Sequence, residues 1–408
     1  MRIAWLKIEN FRSIKKLQID GLDKPQVVIE GFNDVGKSNI LHAMDIAFSA
    51  LPRHLRPELE ASRPIWLKDW DSVFRYGESF FSVSFGIRFK HGEVAQEQDS
   101  TPIYALDFLI EWTRQDSGIS CRVKLRANED ERYDDGFFFL EANKGLYKVL
   151  SSAFRLVTTQ RSIGPESLSG GSNFERDSPM VWQGNNLKQM LFFYKNSPDV
   201  EVQDRFEQLR VALRDPELNV GNVHVSVQSN RAINVRTRQG GLDHDIEQRG
   251  SGIQQLVSLL ALTLCHRGRI LAVEEPEMNL SEPNQRLLWK KLREFTGLEG
   301  PMDQVFVTSH SRVFEEEAER LIVSRDPELG TQVRWAEPVP AKKQAEEEVL
   351  HVARGGSVTL PADMMKQLGI QEEKHVYLVP TQHGYQLLGP QGYADHLRGD
   401  GSDADSAD

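Results

Sequence analysis

The stretch Val27–His42 reads VVIEGFNDVGKSNILH, and its residue types can hold a polyphosphate. A short apolar strand runs into Gly31-Phe32-Asn33-Asp34-Val35-Gly36-Lys37-Ser38, and the apolar spacing of 40–48 continues as a helix. Glycines, a lysine and a hydroxyl spaced G-x-x-x-x-G-K-S between strand and helix make a phosphate-binding P-loop. The glycines let the backbone curl, so that successive N–H groups and the positive end of the helix face phosphate oxygens. Lys37 is then placed to reach the β- and γ-phosphates and Ser38 to ligate Mg²⁺. Such a loop needs acids on another strand, and RILAVEEPE at 269–277 offers Glu274 and Glu275 at the end of an apolar run. Glu274 fits the Mg²⁺ shell, and Glu275 fits a general base that polarises the attacking water. The strand QVFV at 304–307 ends in Thr308-Ser309-His310, which sets His310 where a γ-phosphate can be touched.

A further motif, RGSGIQQL at 249–256, reads in two ways. It is a helix N-cap, with the helix starting near Ile253, or it is an anion site made by the N–H groups of Ser251 and Gly252 and the helix dipole.

These motifs need elements to position them. The segments SFFSVSFGIRF and YALDFLIEWT alternate as strands, and DVEVQDRFEQLRVALRD is helical. The expected fold class is therefore α/β, with an antiparallel β-subdomain and then a small helical lobe inserted at about 51–240. With 408 residues, there is room for more than one domain. The apolar run at 256–265 is too short to span a bilayer, and the start lacks a signal-peptide core. Two cysteines give neither a disulfide framework nor a metal cluster, so the expected location is cytoplasmic. A net charge of −11 argues against a broad polyanion-binding surface, though a local basic patch stays open.

The order P-loop, RGSGIQQL, AVEEPEMNLSEP and VTSHS, opened by KIENFRSIKKLQIDGL, resembles an ABC-type ATPase head of the SMC/RecF group. The resemblance is nearest the OLD (overcoming lysogenization defect) branch and spans 1 to about 330. It implies ATP and Mg²⁺ as ligands. It adds Arg12, Asn33, Asp34 and Asn39 to the nucleotide-binding set of Gly31, Gly36, Lys37 and Ser38. It also implies a head-to-tail dimer, in which Ser251, Gly252 and Gln254 act in trans on the partner's ATP. Two departures stand out: the acid pair is Glu-Glu rather than Asp-Glu, and Ser281 stands where relatives often carry histidine. Gln160 is the candidate for a further Mg²⁺ ligand, with Arg161 an equal alternative at that tip. The interval between the motifs is too short for the long heptad arms of an SMC protein. The residues after His310 lack the acidic strand ends of a Toprim nuclease.

The expected head domain spans 1–336, followed by a charged, proline-containing linker at 337–347. Residues 348–394 parse as strand, Gly-Gly turn, strand, short helix and two strands around His383-Gly384. Ser357–Pro361 and Leu368–Ile370 resemble the AbrB/SpoVT swapped-hairpin module, a small β-rich domain that interlocks two chains. Its balanced charge favours dimerisation or docking over DNA contact, with a β-rich cap on the head as the plain alternative. An acidic tail, 395–408, closes the chain. The leading expectation is an ATP-hydrolysing switch that forms a homodimer or higher oligomer and signals to a separate effector, in bacterial anti-phage defence as the resemblance implies. The alternatives are a RecF-like DNA-repair ATPase and an AbrB-type regulator with an ATPase head.

Overall fold

The computed structural model describes residues 1–55, 67, 69–90, 103–116, 118–128, 134–136, 139–140, 143–159, 163–167, 186–265, 268–296, 300–315, 318–336, 377–381 and 384–388. The chain divides into two compact units, Met1–Ala336 and Glu337–Asp408.

In the first unit the chain begins with the hairpin β1 (Arg2–Phe11) and β2 (Ile14–Asp20), then β3 (Gln26–Glu30) and α1 (Lys37–Leu55). There follow β4 (Phe80–Arg88), β5 (Ala105–Gln115), β6 (Gly118–Ala127), β7 (Asp134–Asp135), α2 (Lys144–Ser151), β8 (Phe154–Val157) and β9 (Glu166–Ser167). Two helices come next, α3 (Leu187–Asn196) and α4 (Val200–Leu213), and then β10 (Asn222–Val227), β11 (Ala232–Gln239) and β12 (Leu242–Asp245). The unit closes with α5 (Ser251–Leu264), β13 (Ile270–Glu274), α6 (Glu282–Glu294), β14 (Gln304–Ser309), β15 (Glu319–Asp326) and β16 (Gly330–Trp335).

Twelve strands share one sheet, in the order β7-β6-β5-β4-β1-β2-β16-β15-β3-β14-β13-β8. From β15 to β8 neighbouring strands run parallel, whereas from β7 to β15 they run antiparallel. The antiparallel strands expected between the motifs thus continue the P-loop sheet edge to edge. The fold is mixed α/β, as the residue pattern led us to expect.

Strands β3, β14 and β13 are buried on both faces, which is why their centres read as unbroken apolar runs. Val27 and Ile29 of β3 join the core beneath α1, while Val28 joins the core beneath α5 and α6. The same period-2 division splits β13 and β14 between the two cores. On the α1 side, Phe48 stacks on Phe154 with ring centroids 5.0 Å apart. On the other side, Trp289 meets Phe314 edge-on at 5.6 Å.

The smaller sheet β10-β11-β12, with β9 paired to β11, packs with α3 and α4 as the expected helical lobe. Glu166 of β9 caps α3 by accepting the Lys188 and Gln189 N–H groups at 3.0 and 2.9 Å. Burial outweighs those donors and pushes the Glu166 carboxyl up to about 7. Beside it, the buried Lys188 ammonium pairs with Glu247. In the second unit, Tyr377–Thr381 and Gly384–Leu388 pair as an antiparallel hairpin, β17–β18. The remainder of the expected β-rich module, the linker and the acidic tail lie outside the described residues.

Candidate functional site

Register brings three strand ends to one edge of the parallel half. Glu274 lies opposite Thr308, and Ser309 lies opposite Glu30, so Glu275, His310 and Gly31 each leave the sheet at the same level. Ligands of open α/β sheets sit at such carboxyl ends.

Gly36 has φ +103, a left-handed conformation that side chains rarely adopt. A Cβ there would collide with Thr331 Oγ1 and lie 2.7 Å from Ser13 Oγ. At Gly31 a Cβ would collide with the Val323 carbonyl oxygen. The loop is therefore moulded on β15 and β16, not only on the strand and helix that flank it. The Thr331 hydroxyl donates to Val35 O at 2.9 Å and lies 2.7 Å from Ser13 Oγ.

Within the loop, Lys37 donates to Gly31 O at 2.9 Å and Phe32 O at 3.0 Å, and its Nζ stands 2.9 Å from His310 Nε2. Burial pulls its pKa below the usual lysine value, and the carboxylates of Glu275, Glu277 and Asp34 oppose that shift. Glu275 has φ +40, an outlier for a residue with a side chain. Its N–H donates to Thr308 O at 2.9 Å, and its carboxylate lies 3.9 Å from His310 Nε2. Strain of this kind costs about 1–3 kcal/mol and persists where surroundings fix a functional group. Glu277 accepts the His310 N–H at 2.6 Å.

A second cluster surrounds Glu274. His42 Nε2 is 3.2 Å from Glu274 Oε1, and His42 Nδ1 is 2.7 Å from Arg12 Nη1. The same Arg12 nitrogen donates to Asn39 Oδ1 at 3.1 Å, and Asn39 Nδ2 donates to Ser13 Oγ at 2.8 Å. Burial lowers the Arg12 pKa, and the nearby Glu274 raises it. Ser38 precedes His42 by one helical turn, so the two side chains share a face of α1. A hydroxyl and a carboxylate brought to one face are hard oxygen donors, and they fit Mg²⁺.

The structure thus gathers Gly31, Lys37, Glu275 and His310 in one group, with Asp34 close enough to act on Lys37. It sets Arg12 and Glu274 on His42 in another, with Asn39 held on Arg12 and Ser38 one helical turn before His42. Asn33 and Asp34 are exposed on the loop. Ser251, Gly252 and Gln254 lie in the first turn of α5. The helix begins at Ser251, two residues earlier than the sequence suggested, because Gly250 takes the N-cap position. Gln254 donates to the Glu247 and Arg249 carbonyls, and a Cβ on Gly252 would lie 3.2 Å from Asn279 O. Gln160 and Arg161 lie outside the described residues. Sequence reasoning missed His42, Glu277 and Thr331. Of these, His42 carries a readable signal, its i, i+4 spacing from Ser38.

The AAA ATPase domain family matches residues 1–117 and 185–314, more than half of the chain. The chain belongs to the AAA ATPase domain family. For this AAA ATPase, no curated protein matches. Among solved structures it is similar to an Smc head bound to the C-winged helix domain of ScpA, with TM-score 0.51 and 14% identity over 84% of this chain and 99% of that one. An Smc head with an extended coiled coil, bound to the C-terminal domain of ScpA derived from Pyrococcus furiosus, gives TM-score 0.51 and 14% identity over 85% and 99%. The SMC head domain from Thermotoga maritima gives 0.45 and 14% over 83% and 100%. At such identity the likeness concerns the fold, and the AAA ATPase shares the architecture of SMC heads.

Proposed function

We propose that this AAA ATPase is an ATP-hydrolysing switch whose catalytic site is completed by a second copy of the chain. Lys37 leaves the Gly31 and Phe32 carbonyls and His310 to meet the β- and γ-phosphates, while loop N–H groups hold phosphate oxygens. Ser38 and Glu274 hold Mg²⁺, which supplies charge neutralisation on the phosphates when bound. Glu275, set by its strained backbone, takes the proton of the attacking water, and His310 contacts the γ-phosphate once Lys37 has released it. Closure on ATP and opening on hydrolysis then bias a partner effector. The resemblance to OLD-type heads connects this switch with anti-phage defence.

The observation that carries the reading is the open first turn of α5. The first turn of α5 starts at an exposed serine, and its Gly250 N-cap provides no side chain to cover the N–H groups. That turn is a ready anion site, and within one chain its contacts lead to Glu247, Arg249 and Asn279. A head-to-tail pair delivers it to the partner's γ-phosphate. Light scattering of Glu275→Gln with and without ATP·Mg²⁺ tests this. The expected result is a mass that rises with ATP and fails to rise when Ser251→Arg is added. A mass independent of ATP, with cross-linked heads equally insensitive to it, overturns the switch.

A further inference from the structure

We infer that His42 is a positioning residue that sets the carboxylate of Glu274 for its metal ion; the inference rests on the functional reading above. The argument starts from hydrogen-bond chemistry. A guanidinium has donors only, so Arg12 Nη1, 2.7 Å from His42 Nδ1, requires that nitrogen to be the acceptor. The proton of the neutral ring therefore sits on Nε2, and Nε2 is the atom that faces Glu274 Oε1 at 3.2 Å. Arg12 is itself held. Its second Nη1 proton goes to Asn39 Oδ1, and Asn39 donates onward to Ser13, whose hydroxyl meets that of Thr331. Thr331 in turn donates to the phosphate-loop carbonyl of Val35. From one guanidinium nitrogen, two directed chains thus run to the two halves of the site, one to the loop and one to Glu274.

Geometry shows what this achieves. Glu274 carries one torsion more than an aspartate, and both it and His42 are largely enclosed, with side-chain exposures of 6% and 12%. The Nε2···Oε1 contact is close in distance but off the hydrogen-bond angle, so it restrains the carboxylate electrostatically. With one oxygen turned to His42, the other is the oxygen offered to a divalent cation. His42 lies one turn beyond Ser38 on the same helical face, so one helix supplies both the hydroxyl ligand and the brace for the carboxylate ligand. Removing such an outer-shell partner of a ligand costs about 10- to 100-fold in metal affinity.

The test uses the full chain with a non-hydrolysable ATP analogue and Mn²⁺ as the probe, read by electron paramagnetic resonance. His42→Gln keeps a positive N–H edge facing Glu274; His42→Leu keeps bulk and removes that partial charge. The expected result is Mn²⁺ affinity lowered about tenfold or more in His42→Leu and within about threefold of the parent in His42→Gln. Analogue affinity in EDTA should be unchanged in both. Parent-like Mn²⁺ affinity in His42→Leu overturns the inference, and so does equal loss in both variants. Failure of the parent protein to bind Mn²⁺ in an analogue-dependent way overturns the functional reading itself, and the inference with it.

Discussion

Replacing Thr331 by valine should release the phosphate loop from the hairpin that braces it. Thr331 is fully buried, and valine keeps its shape while deleting the hydroxyl. Two contacts vanish, the donated bond to Val35 O at 2.9 Å and the 2.7 Å meeting with Ser13 Oγ. Losing a hydrogen bond costs about 1 kcal/mol net, and leaving a buried carbonyl without its donor adds about 1–3 kcal/mol. Ser13 keeps the Asn39 donor, so the larger share falls on Val35, inside the loop. The sum is a destabilisation of about 2–4 kcal/mol. Thr331→Ser is the control, since it keeps the hydroxyl and loses one methyl group, worth about 1 kcal/mol. Urea unfolding followed by tryptophan fluorescence measures both variants, and titration with a fluorescent ATP analogue reads the loop. Thr331→Val should unfold at lower urea than Thr331→Ser and bind the analogue several-fold more weakly. Equal midpoints for Thr331→Val and the parent, or a larger loss in Thr331→Ser, would refute the bracing.

Three further outcomes are expected. Glu275→Gln removes the base at constant length, so phosphate release should fall about 10²- to 10⁴-fold while analogue binding persists; parent-like turnover would remove Glu275 from the chemistry. Gly36→Ala places a Cβ at φ +103 against Thr331 Oγ1 and Ser13 Oγ, and should cost about 1–3 kcal/mol in urea unfolding. The Glu166 carboxyl titrates near 4.5 when unfolded and at about 7 when folded, so the folded chain holds the proton more tightly. Its contribution is complete below the unfolded value and is lost as pH rises through the folded one, about 3 kcal/mol in all. Glu166→Gln should flatten the stability profile between about pH 5 and pH 8, and an undiminished decline in that variant would show that another group titrates.

Much of this site was legible because its signals are local. Gly31–Ser38 announces itself by spacing between a strand and a helix, and Glu274-Glu275 and His310 each end an apolar run. Ser251-Gly252 before an apolar run marks a helix start, though two residues later than the helix begins. What stayed hidden depends on pairing across the chain. Ser13 and Thr331 are 318 residues apart, and no local pattern predicts that their hydroxyls meet beneath Gly36. His42 offers only its spacing from Ser38 until Arg12 arrives from the β1–β2 turn and Glu274 from the end of β13. Glu166 reads as surface acid, and its shifted titration follows only from burial against the α3 N-terminus.

The strand order also bears on how the chain acquires its shape. The hairpin β1–β2 and the strand β3 are neighbours in sequence, yet β16 and β15 lie between them in the sheet. A chain emerging from the ribosome can pair β1 with β2 at once, but the two halves of the sheet join only when residues 319–335 exist to fill the gap. Pairing over such separations is slow, and until it happens the edges of β2 and β3 stay open to wrong partners. Gly31 rests on Val323 and Gly36 on Thr331, both in that final hairpin. The nucleotide loop at 31–38 is thus finished only by residues about 290 positions further on, and a head that lacks them lacks the braces of its phosphate loop.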